Sequence, residues 1–127
     1  MSALVLDAGA FVAIDRGDRA MVARLRVAER GGFELRSTGA VVAQVWRDPR
    51  GRQVELARAL KSVDVKAVNE TLGRAAGVLL GRAHLQDAVD ATLVAVAGTG
   101  DRIVTSDPGD IADLVAASGH AIVVVRV

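Results

Sequence analysis

Four aspartates stand where a carboxylate can do chemistry. Asp7 directly follows the apolar run Ala3-Leu4-Val5-Leu6, Asp107 follows Arg102–Thr105 after one serine, and Asp87 and Asp90 lie three residues apart at the head of an apolar helical pattern. At that spacing the last two share one helix face, about 5–6 Å apart at Cβ. Carboxylates gathered in one crevice repel each other unless a hard cation neutralises them, and Mg²⁺ or Mn²⁺ prefers oxygen ligands with several retained waters. The chain has no Cys, and its two His are residues 84 and 120. Disulfides, thiolate zinc and a Cys nucleophile are excluded, and an imidazole-based site is disfavoured. A metal bound here must be held by oxygen.

Each acid also has a plainer use. Asp7 can cap the helix that follows it, Asp107 before Pro108 is a good N-cap with Asp110 in the first turn, and Asp87 and Asp90 can complement a helix dipole. Capping leaves Asp90 unexplained. It sits inside a segment whose neighbours are Ala88, Val89, Ala91, Leu93, Val94 and Ala95, where an acid is expensive without a partner.

The elements that position these residues follow from hydrophobic spacing. Ala3–Leu6 reads as a buried strand feeding a helix at Ala10–Ile14, and Met21, Val22, Leu25 and Ala28 give a second helix stopped by Gly31-Gly32. Phe33–Arg36 reads as a strand. Ser37 or Thr38 can cap a helix over Ala40–Trp46 whose apolar face is Val41, Val42, Val45 and Trp46, with Pro49 and Gly51 ending it. This places Trp46 in the core or at an interface. A helix over Val54–Leu60, a strand over Val63–Lys66 and a helix from Asn69 to near Gly81 come next. The chain then predicts a helix over Asp87–Ala97, a strand over Arg102–Thr105, a helix over Asp107–Ala117 and a last strand over Ala121–Val125. Strands alternating with helices predict a three-layer α/β/α domain with a mostly parallel sheet, spanning residues 1–127 as one unit. In such sheets ligands bind outside the carboxyl ends of the strands, where Asp7 and Asp107 fall.

With 127 residues, 51% hydrophobic and 24% charged, the composition suits a folded domain and excludes disorder for most of the chain. The absence of a long apolar run or a leader pattern predicts a soluble, cytoplasmic protein without a membrane partner. The net charge of +1 conceals two opposed stretches. Arg47–Lys61 has five basic residues against two acidic, whereas Asp87–Asp113 has six Asp against Arg102 alone. The first suits anions and the second cations.

Taken in order, "LVLDAGAFVA" around Asp7, "VDATLVAVA" around Asp90 and "IVTSDPGD" around Asp107 resemble the PIN domain, specifically the VapC-type toxins of bacterial toxin–antitoxin pairs. The resemblance runs over the whole chain. It implies a Mg²⁺- or Mn²⁺-dependent endoribonuclease, commonly a homodimer, held inactive by a cognate VapB-type antitoxin, with Asp7, Asp90 and Asp107 as the metal-centred acids. One position departs from the pattern. The family usually has a Glu on the helix after the second strand, where "STGAVVAQVWRD" carries Gln44, an amide that brings one less negative charge. Asp87, one turn before Asp90, is a candidate metal residue that supplies part of that charge. Arg47, Arg50 and Arg52 are candidates for holding RNA phosphates, with a solvated face as the alternative.

Two other acid-bearing α/β classes fit less well. A phosphoacceptor receiver needs a late Lys, and the only Lys are 61 and 66; a haloacid-dehalogenase-like phosphatase needs DxD where this chain has Asp7-Ala8-Gly9. The alternative that remains is a catalytically weak PIN-like domain acting by binding a protein partner or RNA.

Overall fold

The computed structural model describes residues 2–48 and 50–127. Among them the chain forms β1 (Ala3–Leu6), α1 (Ala8–Asp15), α2 (Arg19–Arg30), β2 (Glu34–Thr38), α3 (Gly39–Val45), α4 (Val54–Leu60) and β3 (Val63–Lys66). It continues with α5 (Glu70–Ala83), α6 (Ala88–Ala95), β4 (Arg102–Thr105), α7 (Pro108–Ser118) and β5 (Val123–Arg126).

The five strands pair in the order β3-β2-β1-β4-β5, all parallel. Parallel neighbours require crossovers, which the helices supply. Helices α1, α2 and α4 pack together on one side, α5, α6 and α7 on the other, and α3 touches both α1 and α6. Because both faces of the sheet are covered, β1 reads as an unbroken apolar run with every residue buried. Phe11, Leu6, Ile14, Leu56, Leu93, Ile103, Ile111 and Leu114 are the large side chains wholly withdrawn from solvent. The chain winds outward from β1 to β3, then returns to the other side of β1 for β4 and β5. The reversal puts a crevice at the carboxyl ends of β1 and β4.

Local signals agree with this architecture at most helix starts. The side chains of Asp7, Asp18, Thr38, Asn69 and Asp87 each accept a backbone N–H of the helix they precede. Ser37 does not cap; its hydroxyl donates to the Leu6 carbonyl at 2.7 Å and ties β2 to β1. Helix α5 runs past Gly81 to Ala83 and ends on His84, which adopts the left-handed conformation at φ 55°. Helix α6 is shorter than the apolar run suggested, and β5 starts at Val123. Of the two places expected for Trp46, the structure excludes the core. Trp46 lies at the C-cap of α3 and is 37% exposed, outside the core, because the helix ends at Val45 and the chain turns extended there. Pro49, expected to help end this helix, lies outside the described residues.

The sheet's opposite end is held by a buried ionic cluster. Asp101 accepts the N–H of Ala3 at 2.7 Å, the N–H of Gly98 at 2.8 Å and a guanidinium N–H of Arg36 at 3.4 Å, while Arg36 also donates to the Val96 carbonyl at 2.7 Å. On the outer strand, Arg24 donates to the Arg126 carbonyl at 3.1 Å. No described helix is long and apolar enough to cross a membrane.

The cluster predicts an asymmetry. Asp101→Ala leaves the Ala3 and Gly98 N–H groups without their acceptor and Arg36 with one carboxylate partner fewer, and should cost roughly 3 kcal/mol. Glu34→Ala removes only the more exposed partner of Arg36 and should cost at most about 1 kcal/mol. Urea unfolding of the two variants measures the difference.

Candidate metal centre

Asp7 terminates β1 and caps α1. Its carboxylate is buried and has both oxygens engaged: Oδ1 accepts the Ala10 N–H and Oδ2 the Ser106 N–H, each at 3.2 Å. The first bond is local, but the second crosses from β1 to the β4–α7 loop. Gly9 permits that approach, since a Cβ there would lie 2.6 Å from the Ser106 Cβ. Glycine is required by space here.

Asp107 stands at the N-cap of α7 but makes no capping bond. Its backbone N–H is instead held by the Thr105 hydroxyl at 2.9 Å, and its carboxylate is left exposed. Asp90, the third residue of α6, donates its N–H to Asp87 Oδ1 at 3.1 Å and is half-buried. The carboxylates of Asp90, Asp107 and Asp110 each bring an oxygen within 4.8 Å of the other two. Asp110 is the member that spacing alone assigned to a first-turn role. Its place beside Asp107 follows from the α7 turn that Pro108 begins, and the signal for it was the DPGD run itself.

Asp7 and Asp87 fall outside this group of three. Asp87 is an exposed N-cap. Both still act on Asp90 through space. Burial pushes the Asp90 carboxyl up to about 6, and the negative charges of Asp87, Asp107, Asp7 and Asp110 push the same way. Among the described residues, none of these five acids is in a salt bridge with Lys or Arg. Gln44 lies exposed in the last turn of α3. The head of that helix meets α6 through the hydroxyls of Thr38 and Thr92, 3.2 Å apart and two residues beyond Asp90.

The donor set fits a hard divalent cation. It is all oxygen, it carries negative charge that no Lys or Arg pairs among the described residues, and Asp90 holds its proton abnormally well because it is partly buried among like charges.

No family model matches the chain, and no curated protein matches it. Among solved structures, it superposes on a chain of the VapBC2 complex from Rickettsia felis bound to a DNA fragment from their promoter. The TM-score is 0.69 over 100% of this chain and 99% of that one, at 12% identity. The likeness establishes the fold as PIN-like α/β, with its five-stranded parallel sheet between helical layers.

The raised Asp90 carboxyl has a signed consequence for the metal-free protein. Below pH 3.8 the folded and unfolded chains both hold this proton and the group costs nothing. Between 3.8 and about 6 the unfolded chain releases it more readily, so the fold loses stability with rising pH, and the deficit persists above 6. Asp90→Asn should therefore raise Tm at pH 7 in EDTA and change it little near pH 4. Thermal unfolding at the two pH values checks this.

Proposed function

We propose that this protein is a Mg²⁺- or Mn²⁺-dependent endoribonuclease acting as the toxin of a toxin–antitoxin pair. The observation that carries the reading is the Asp90–Asp107–Asp110 carboxylate group at the carboxyl end of β4, supported by the likeness of the fold to a chain of a VapBC2 complex. Residues 1–127 serve as one catalytic domain in the cytoplasm, assembled as a homodimer and silenced by a cognate VapB-type antitoxin. The DNA-bound state of the Rickettsia felis complex favours an antitoxin partner. A guanidinium fork on that partner matches the paired carboxylates in geometry and charge.

Asp90, Asp107 and Asp110 are the residues that would hold the cation, with Asp7 beside them and Asp87 adding charge. When bound, the cation supplies Lewis-acid stabilisation of charge on the phosphodiester and makes water a better nucleophile near neutral pH. The protein's own contribution is placement. Asp7, fixed by two N–H donors, keeps the β1 and β4 loops in register. Asp90 holds a proton below about pH 6 and gives it up above that, so metal affinity and cleavage should both rise between pH 5 and 7. Arg47, Arg50 and Arg52 add positive charge for the RNA backbone.

The test is the purified, partner-free protein on mixed RNA. Cleavage is expected with Mg²⁺ or Mn²⁺ and none in EDTA, with Asp107→Asn and Asp110→Asn each slower by at least about tenfold. Activity that survives EDTA sinks the metal mechanism. Co-purification from the native operon tests the antitoxin.

Gln44 favours a second reading, a catalytically weak domain that works by binding a partner or RNA, because the amide brings no charge where the resemblance implies a Glu. Gln44→Glu should then tighten Mn²⁺ binding and raise cleavage together. In calorimetric titration, Asp87→Asn should weaken Mn²⁺ binding less in the Gln44→Glu background than in the native one. Additive effects would remove Asp87 from the site's charge balance.

A further inference from the structure

The loop after α3 presents the chain's single tryptophan to solvent on a fixed base. Gln53 spans the loop. Its Oε1 accepts the N–H groups of Arg47 at 2.6 Å and Asp48 at 2.7 Å, and its Nε2 donates to the Val45 carbonyl at 2.9 Å and to Asp15 Oδ2 at 3.1 Å. The last bond anchors the loop to α1. Arg47 turns back on the helix end, donating from Nη1 to the carbonyls of Ala43 at 3.0 Å and Trp46 at 2.7 Å. These two bonds satisfy acceptors that every helix C-terminus leaves open. Trp46 is thus 37% exposed on a backbone held from both sides.

The loop itself is mostly positive, although Asp15 of α1 lies against Gln53. Arg47, Arg50 and Arg52 are exposed, and the segment's one acid, Asp48, faces inward to accept the Gln53 N–H at 3.4 Å. The exposed residues nearest Trp46 in sequence are Ala43, Gln44, Arg47 and Arg50, none of them a large apolar side chain. An exposed indole on a segment that also carries three exposed arginines suits the flat face of a base and the phosphates that flank it. The loop is also close to the carboxylates. Helix α3 has seven residues, about 10 Å at 1.5 Å per residue, and its other end touches α6 beside Asp90.

We propose that Trp46 is a stacking platform for an unpaired base of single-stranded RNA, with Arg50 and Arg52 on the adjoining phosphates. This rests on the ribonuclease reading for its choice of ligand and adds a binding site outside the carboxylate crevice. The site engages RNA a few nucleotides from the acids and makes recognition depend on single-stranded character.

Fluorescence tests this directly, because with one Trp and no Tyr the intrinsic emission reports residue 46. The full chain is titrated in EDTA with a short poly-uridine oligonucleotide, and binding is followed in parallel by anisotropy of a labelled copy. Saturable quenching that weakens with added salt is expected. Trp46→Ala should lose affinity by roughly 5- to 150-fold, the loss of one stacked base, with Trp46→Phe retaining part of it. Arg52→Gln should lower the salt slope by about one. Binding without quenching, no binding at all, equal quenching by poly-glutamate, or a Trp46→Ala variant that binds like the parent would each overturn the proposal. The two readings fail separately. Quenching in a protein that cleaves nothing keeps the platform and removes the ribonuclease, whereas metal-dependent cleavage with an unquenched Trp46 does the reverse.

Discussion

The Asp7 carboxylate is the joint on which the crevice depends. It leaves the central strand buried, accepts one N–H from its own helix and one from the loop after β4, and so fixes two crossovers that are 99 residues apart in sequence. Everything at the carboxyl end of the sheet is referred to this bridge. The bridge adds to the packing of α7 against α6 in holding Asp107 and Asp110 beside Asp90. The close approach carries its own requirement, a residue without a side chain at position 9.

The two ends of the sheet spend their acids differently. Asp101 is fully compensated by two backbone N–H groups and Arg36, so its charge stabilises the meeting of β1, β2 and β4. At the other end Asp7 and Asp87 accept backbone N–H groups but no acid pairs with Lys or Arg among the described residues, and Asp90, partly buried beside these like charges, keeps its proton up to about pH 6. A chain selected for stability alone would have no use for that arrangement. Polar groups that satisfy each other make structure, and acids gathered against like charges make a candidate site.

Much of the fold was legible because strong local signals coincide with the topology. The apolar run of β1, the caps at Asp7 and Asn69, and the glycine stop at Gly31-Gly32 needed no knowledge of distant contacts. The acids after β1 and β4 were legible for the same reason, since strand ends in a parallel sheet share one edge. Other features were not. Asp110 joins Asp90 only through the packing of α7 against α6, a contact that spacing along one helix does not contain. Asp107 had the best N-cap sequence in the chain and makes no cap bond, because Thr105 already holds its backbone. Trp46 completed an apolar pattern by composition, yet the helix stops one residue before it, and Gln53, whose four bonds fix that loop, carries no local motif.

The pairing of β1 with β4 bears on how the molecule comes into being at the ribosome. β1 is the middle strand of the sheet, and one of its two neighbours, β4, follows it in the chain only after β2 and β3. Local helices can form as they emerge, but β1 stays without that partner, and Asp7 without its Ser106 donor, until some hundred residues have been synthesised. Such non-local pairing delays completion of the domain. The acids at positions 90, 107 and 110 therefore converge only after β4 and α7 have been made and have packed against the earlier elements.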